Sequence, residues 1–197
     1  MTFFLGLTGS IAMGKSTTAQ LFHKRGCPVW DADACVARLY GKGGAAVGPI
    51  DNAFPTAIVD DAVDRTRLKA WLTKNPNDFE MLEKIVHPLV QADRVAFKNA
   101  STADVAIFDI PLLFETNAQS EFDAVCCVYT SAENQMERLL SRGTMTAEQI
   151  ELILSRQWPI DKKKGMSDYL VCTDSHDTAE KDVDAVLNDI TERQRHA

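Results

Sequence analysis

The chain has 197 residues, 45% of them apolar and 25% charged, with a net charge of −7. That length suits one well-buried core with room for an inserted subdomain and is short for two independent domains. The acidic balance argues against general nucleic-acid binding, and no apolar run approaches the ~20 residues needed to cross a bilayer.

The opening run FFLGLTG is apolar and ends at glycine, as a buried parallel strand does. It lacks a basic leader and a cleavable segment, so the expectation is a first strand of a cytoplasmic protein. Lys15 to Lys24 carries Ala19, Leu21 and Phe22 in a helix-compatible stretch closed by Gly26. CPVWDAD reads as a second short strand ending in acids, and ACVARLY as the start of a second helix. Glycine and proline dominate 41–55, which predicts a loop.

Residues from about 60 to 100 have the character of a helical insertion. Leu82, Ile85, Val86, Leu89 and Val90 fall at the three-and-four spacing of an amphipathic helix, with a boundary or kink expected at Pro88. Strands return with DVAIFDIP and DAVCCVYT, followed by a charged helix over about 132–142. DYLVCT is the last strand, and a closing helix over about 178–193 carries Val183, Val186, Leu187 and Ile190 on one face. Strands alternating with helices predict an α/β fold with a parallel sheet covered on both sides.

Five cysteines (Cys27, Cys35, Cys126, Cys127, Cys172) include no C-x-x-C pair, so buried reduced thiols are expected rather than disulfides, a metal site or a catalytic thiol. Between 138 and 164 stand Arg138, Arg142, Arg156, Lys162, Lys163 and Lys164 against Glu148, Glu151 and Asp161. A local basic segment in an acidic chain suggests one anion site.

Residues 9–16, GSIAMGKS, satisfy G-x-x-x-x-G-K-[ST] between a predicted strand and a predicted helix. Glycines let backbone N–H groups curl around phosphate oxygens, and the helix N-terminus adds partial positive charge. Lys15 is placed to bridge terminal phosphates and Ser16 to offer its hydroxyl to Mg²⁺. Ala12 lies inside this loop, where a left-handed backbone costs about 1–2 kcal/mol for an alanine, so a negative φ is expected there.

A kinase also needs a group that accepts the proton of the phosphoryl acceptor. Asp31 and Asp33 end the second strand, at the edge of the sheet where ligands bind, and alternation sends both to one side if the stretch stays extended. Helix capping is the equal alternative for such acids. Asp109 follows an apolar run as a metal-holding acid does at a strand end, or it caps the next turn.

GLTGSIAMGKS, DAD at 31–33, HP at 87–88, IPLLFE at 110–115, QMERLLSR at 135–142 and RQ at 156–157 occur in the order seen in dephospho-coenzyme A kinases. The chain resembles that family over nearly its whole length. The resemblance implies ATP-dependent phosphorylation of the ribose 3′-hydroxyl of dephospho-coenzyme A, with ATP and Mg²⁺ as cofactors. Partners would be those two small molecules, with no nucleic acid or membrane, and a monomer or weak homo-oligomer. It implies a P-loop core with a parallel five-stranded sheet flanked by helices (about 1–40, 101–142 and 166–197), a helical substrate subdomain (about 41–100) and a mobile lid (about 143–165).

By the same resemblance, ATP would contact Gly9, Ser10, Ile11, Ala12, Met13, Gly14, Lys15, Ser16 and Thr17, together with Arg138 and Arg142. Lys15, Arg142 and Asp33 would be catalytic, Asp33 as the base, and Ser16 and Asp109 would serve the metal. Asp33, His87, Leu113, Glu115 and Arg156 would face the substrate. For Glu115 a structural bond to backbone is as good a reading, exposed arginines are commonly just solvated, and 162–164 either add charge in the lid or form a solvated surface. Ser10 and Ala12 stand where the family usually has glycine, Ser167 where it has alanine, and Thr173 where it commonly has an asparagine, so base contacts near Thr173 depart from the pattern. The alternative is another small P-loop nucleotide or metabolite kinase, which would share the phosphate loop but not DAD, HP and PLLFE together. A GTPase lacks support because N-K-x-D is absent.

Overall fold

Six residues, Phe3–Thr8, form β1 at the centre of a five-stranded sheet ordered β2-β5-β1-β6-β7. The computed structural model describes residues 1–143 and 146–196, with the backbone alone at Arg142 and Ala147. The other strands are β2 (Val29–Asp31), β5 (Val105–Asp109), β6 (Ala124–Tyr129) and β7 (Tyr169–Cys172), with the pairs β1–β5, β1–β6 and β6–β7 parallel. Register sets Leu7 beside Asp109 on one side and beside Cys126 on the other, so the strands end at a common edge.

Both faces of β1 are covered, which is why its sequence is a continuous apolar run. On one face Leu5 and Leu7 pack with Leu21 and Phe22 of α1 (Lys15–Lys24) and with Val183, Val186 and Ile190 of α9 (His176–His196). On the other, Phe4 meets Phe108 edge-on at 5.7 Å, and Phe108 meets Phe122 at 5.1 Å. Helix α1 stops as the sequence predicts. Gly26, at φ +89°, donates to His23 O while Cys27 donates to Phe22 O, which closes the last carbonyls of the helix.

Compact unit one comprises Met1–Trp30 with Ser101–Ala197, and unit two Asp31–Ala100. The second unit contains α2 (Ala32–Tyr40), α3 (Val47–Ala53), the hairpin β3 (Ile58–Val59) and β4 (Ala62–Val63), α4 (Arg65–Lys74) and α5 (Phe79–Ala100). One expectation fails here. The 41–55 loop contains a helix, because Gly48 and Pro49 fall in its first turn, where proline is tolerated, while Val47 and Ile50 are buried. Of the boundary or kink expected at Pro88, the boundary is absent: α5 runs through it and buries Leu82 and Val86. The hairpin turns on Asp60 and Asp61, at φ 50° and 62°, a two-residue turn matching the strand twist. In the first unit α6 (Ala132–Arg142), α7 (Ala147–Ser155) and α8 (Ile160–Met166) connect β6 to β7.

All five cysteines are free thiols, and all but Cys172 are buried. Burial pushes the Cys27, Cys35 and Cys127 thiols up to about 11 and Cys126 higher still. Among the described residues no helix is long and apolar enough to cross a membrane.

Proline within a helix removes a backbone bond and presses on the carbonyl one turn earlier. Pro88→Ala is therefore expected to stabilise the protein by about 1–3 kcal/mol, raising the thermal midpoint at roughly 2–4 °C per kcal/mol for a chain of this size. Circular dichroism melting measures it; an unchanged or lower midpoint would show that the proline ring itself is needed for packing.

Candidate active site

The loop between β1 and α1 is built around two left-handed residues. Gly14, at φ 87°, is the N-cap of α1, and a Cβ there would lie 2.8 Å from Thr173 Oγ1. Ala12 is also left-handed, at φ 61°, which overturns the expected negative angle. The turn requires it: Met13 N–H returns to Ser10 O at 3.2 Å, closing a four-residue turn with Ala12 in third place. The alanine methyl is buried with Leu139 and Ile150, with Ile11 and Leu154 packed alongside, so tertiary contacts offset the strain. Ser16 and Thr17 stand exposed on the first turn of α1, where backbone N–H groups have no intrahelical partner.

Lys15 is ion-paired with Asp109, whose side chain is 2% exposed at the end of β5. The loop is also held from outside. Thr173 Oγ1 donates to Met13 O at 2.8 Å, with Tyr129 O at 3.3 Å, and accepts from Arg138 Nη1 at 3.0 Å. Arg138 also donates to Thr173 O and, at 3.4 Å, to Ala12 O. Thr173, where the family pattern differs, thus binds the phosphate loop itself. Gln135 Nε2 donates to Ile11 O at 2.8 Å, and Ile11 N–H donates to Gln157 Oε1 at 3.0 Å.

Next to Thr173, Asp174 accepts from Thr130 Oγ1 at 2.6 Å, Ser131 N–H at 3.0 Å and Asn134 Nδ2 at 3.0 Å. The Thr130 bond, followed by those from Ser131 and Asn134, holds its carboxyl well below the usual range. A pocket of about 270 Å³ opens here, lined by Ala12, Gly14, Thr17, Arg138, Thr173, Ser175, His176 and Ala179.

A second cluster lies after β5. Glu115 Oε1 accepts from Trp158 N–H at 2.7 Å and from Lys163 Nζ at 2.8 Å, and Lys163, fully buried, also donates to Pro111 O at 3.1 Å. Glu115 Oε2 is buried without a hydrogen-bond partner. The Trp158 ring stacks on Phe114, centroids 6.2 Å apart, and Lys162 Nζ sits 3.4 Å over it; Lys164 Nζ sits 4.4 Å over Tyr129. Of the lysine run only Lys163 is withdrawn from solvent, while Lys162 and Lys164 lie over aromatic rings at the surface.

The remaining expected residues are dispersed. Leu113, expected to face the substrate, has no exposure, and its side chain packs over Gly6. Arg156 is exposed and caps the end of α7. The Arg142 side chain lies outside the described residues. In the second unit, the backbone turns helical at Ala32, so Asp31 and Asp33 do not alternate as on an extended strand. Asp31 caps α2 by accepting from Ala34 N–H at 2.9 Å, and Asp33 is exposed on the first helical turn. His87 is exposed on α5. Gln135 and Gln157 have no role read from sequence; both lie inside motifs that carry the resemblance, which is their only signal.

A central parallel strand, a glycine loop capping a helix, a lysine paired with an acid on the neighbouring strand, and arginine from a later helix define a P-loop kinase. The chain belongs to the dephospho-CoA kinase family, whose sequence model matches residues 3–179. A dephospho-CoA kinase of Ruegeria pomeroyi is 51% identical over 197 residues, covering 100% of both chains. Among solved structures, a Thermus thermophilus protein, TT1252, has a TM-score of 0.84 at 26% identity, covering 95% of this chain and 97% of that one. A dephospho-CoA kinase from Campylobacter jejuni shares the fold, with a TM-score of 0.65 at 20% identity over 96% of this chain and 97% of that one.

Thr173→Val keeps the shape but removes the hydroxyl, leaving the Met13 carbonyl and the Arg138 guanidinium each short of a partner. A loss of about 1–3 kcal/mol is expected, read as a lower denaturation midpoint at unchanged slope; an unchanged midpoint would show the hydroxyl to be dispensable. For Asp174 the folded value lies below the unfolded one, so its contribution is present above the unfolded value and lost as pH falls through the folded one. Asp174→Asn should lower stability at neutral pH, and the gap to the parent should narrow below about pH 4, measured by denaturant titration across pH.

Proposed function

We propose that this protein transfers the γ-phosphoryl group of ATP to the ribose 3′-hydroxyl of dephospho-coenzyme A, giving coenzyme A and ADP in the cytoplasm. Family membership along the chain supports the choice of acceptor. The observation that carries the chemistry is the Lys15–Asp109 pair at the mouth of the phosphate loop. Nucleotide binding draws the Lys15 ammonium from Asp109 onto the terminal phosphates, where opposite charge is denser. The exposed N–H groups of 14–17 and the helix terminus take the remaining phosphate oxygens, and the pocket beside Arg138 and His176 receives the base.

Ser16 and Asp109 are hard oxygen donors, and two such groups suit Mg²⁺, which keeps several of its positions for phosphates and water. No cluster of three metal-binding side chains exists among the described residues, in keeping with an ion carried in by the nucleotide. When bound, the ion neutralises charge on the phosphates.

In the transfer, the 3′-oxygen forms the new bond to γ-phosphorus, the bond to the β–γ bridging oxygen breaks, and ADP leaves. Asp33 accepts the hydroxyl proton. It is suited to this because capping of α2 is performed by Asp31, which leaves the Asp33 carboxylate exposed. Arg156, Arg138 and Arg142 supply positive charge as the phosphoryl group moves. His87 shapes the acceptor side. Glu115 serves by holding Trp158 and Lys163, one step removed from substrate.

The purified protein should phosphorylate dephospho-coenzyme A in preference to AMP, shikimate or gluconate; equal turnover of any of these would overturn the assignment. Asp33→Asn should lower kcat by roughly 10²–10⁴, the range for losing a general base, with KM for ATP little changed. Near-normal kcat would return Asp33 to a structural role.

A further inference from the structure

A loop that reserves several of its N–H groups for a ligand cannot use those to hold itself, so much of its shape must be set by neighbours. In the phosphate loop this falls most sharply on the Ile11 residue. Its C=O is held by Gln135 of α6 and its N–H by Gln157, just beyond α7. Ile11 directly precedes Ala12, whose φ of 61° is unfavourable for alanine. Nothing within the loop compensates for that angle beyond the Met13 to Ser10 bond.

Gln157 is itself firmly placed. The next residue, Trp158, donates its N–H to Glu115 and stacks on Phe114. Ile150 and Leu154 of α7 pack in the cluster that contains Ala12 and Ile11. The Gln157 carbonyl is thereby a fixed acceptor aimed at a strained loop.

We propose that Gln157 is a positioning residue that keeps the phosphate loop in its binding shape by holding the Ile11 N–H. Without that acceptor, Ala12 relaxes toward negative φ and the fraction of molecules able to receive the triphosphate falls. Apparent affinity drops by the same fraction. The effect is on ATP binding, while the acceptor side and the chemical step are spared. The inference rests on residues 9–17 being the triphosphate site.

Gln157→Met preserves length and volume but not the acceptor. Steady-state kinetics of the full-length protein should show KM for ATP raised roughly 5- to 30-fold, the scale of one lost hydrogen bond together with an unheld left-handed alanine. KM for dephospho-coenzyme A should stay within about twofold, and kcat should fall less than KM rises. Adding Ala12→Gly, which removes the left-handed penalty, should recover at least half of the lost ATP affinity. A merely structural role for Gln157 would give no such rescue.

Gln135→Met, releasing the other side of the same residue, should shift KM for ATP in the same direction, and it stands in if Gln157→Met does not fold. An ATP KM within twofold of the parent, or a raised KM that Ala12→Gly fails to lower, would overturn the proposal. Lys15→Ala separates this from the underlying reading. If that variant binds ATP normally, the loop is not the triphosphate site; if it binds poorly while both glutamine variants bind well, only the role of Gln157 fails.

Discussion

The phosphate loop has to keep the backbone donors of 14–17 for phosphate, and much of the surrounding structure follows from that constraint. A peptide segment with unpaired N–H groups has little reason of its own to stay in one conformation. Here the order comes from outside: Thr173 holds the Met13 carbonyl, Arg138 reaches Ala12, Thr130 N–H rests on the Met13 sulfur at 3.2 Å, and two glutamines hold Ile11. These groups come from α6, the connector after α7 and the residues that directly follow β6 and β7. Elements late in the chain are needed to shape one near its start.

This dependence explains what could be read from the sequence. The five strands of the parallel sheet, α1, its glycine stop and the phosphate loop are encoded locally, in runs of apolar residues and a short signature, and appear where expected, whereas the short β3–β4 hairpin has no such signal. The angle at Ala12 could not be read in that way. Propensity assigns an alanine negative φ, and only the buried cluster with Leu139 and Ile150 and the external hydrogen bonds reverse it. The helix at Val47–Ala53 was hidden for a related reason: glycine and proline read as loop residues until burial of Val47 and Ile50 outweighs them.

The basic segment shows the limit of reading charge. Lys162, Lys163 and Lys164 look alike in the sequence and have three different environments: over an indole ring, inside the protein on Glu115, and over a phenol ring. Lys163 is tolerated because a carboxylate and the Pro111 carbonyl meet its ammonium where the side chain is fully buried. Leu113 gives the converse case, a residue within a family motif whose side chain serves the core. Motif membership says that a residue matters to the fold or the site, and only its surroundings say which.

The cysteines carry a consequence for handling the acceptor. Dephospho-coenzyme A ends in a free thiol, and thiol–disulfide exchange requires a thiolate on one partner and an accessible sulfur on the other. With Cys27, Cys35 and Cys127 raised to about 11 by burial, only ~10⁻⁴ of each is ionised near neutrality. Those side chains are poor partners for mixed disulfides with the pantetheine arm. The sheet and helix cores that enclose them shield these sulfurs while the protein processes a reactive sulfhydryl compound, which leaves the half-buried Cys172 as the more accessible thiol.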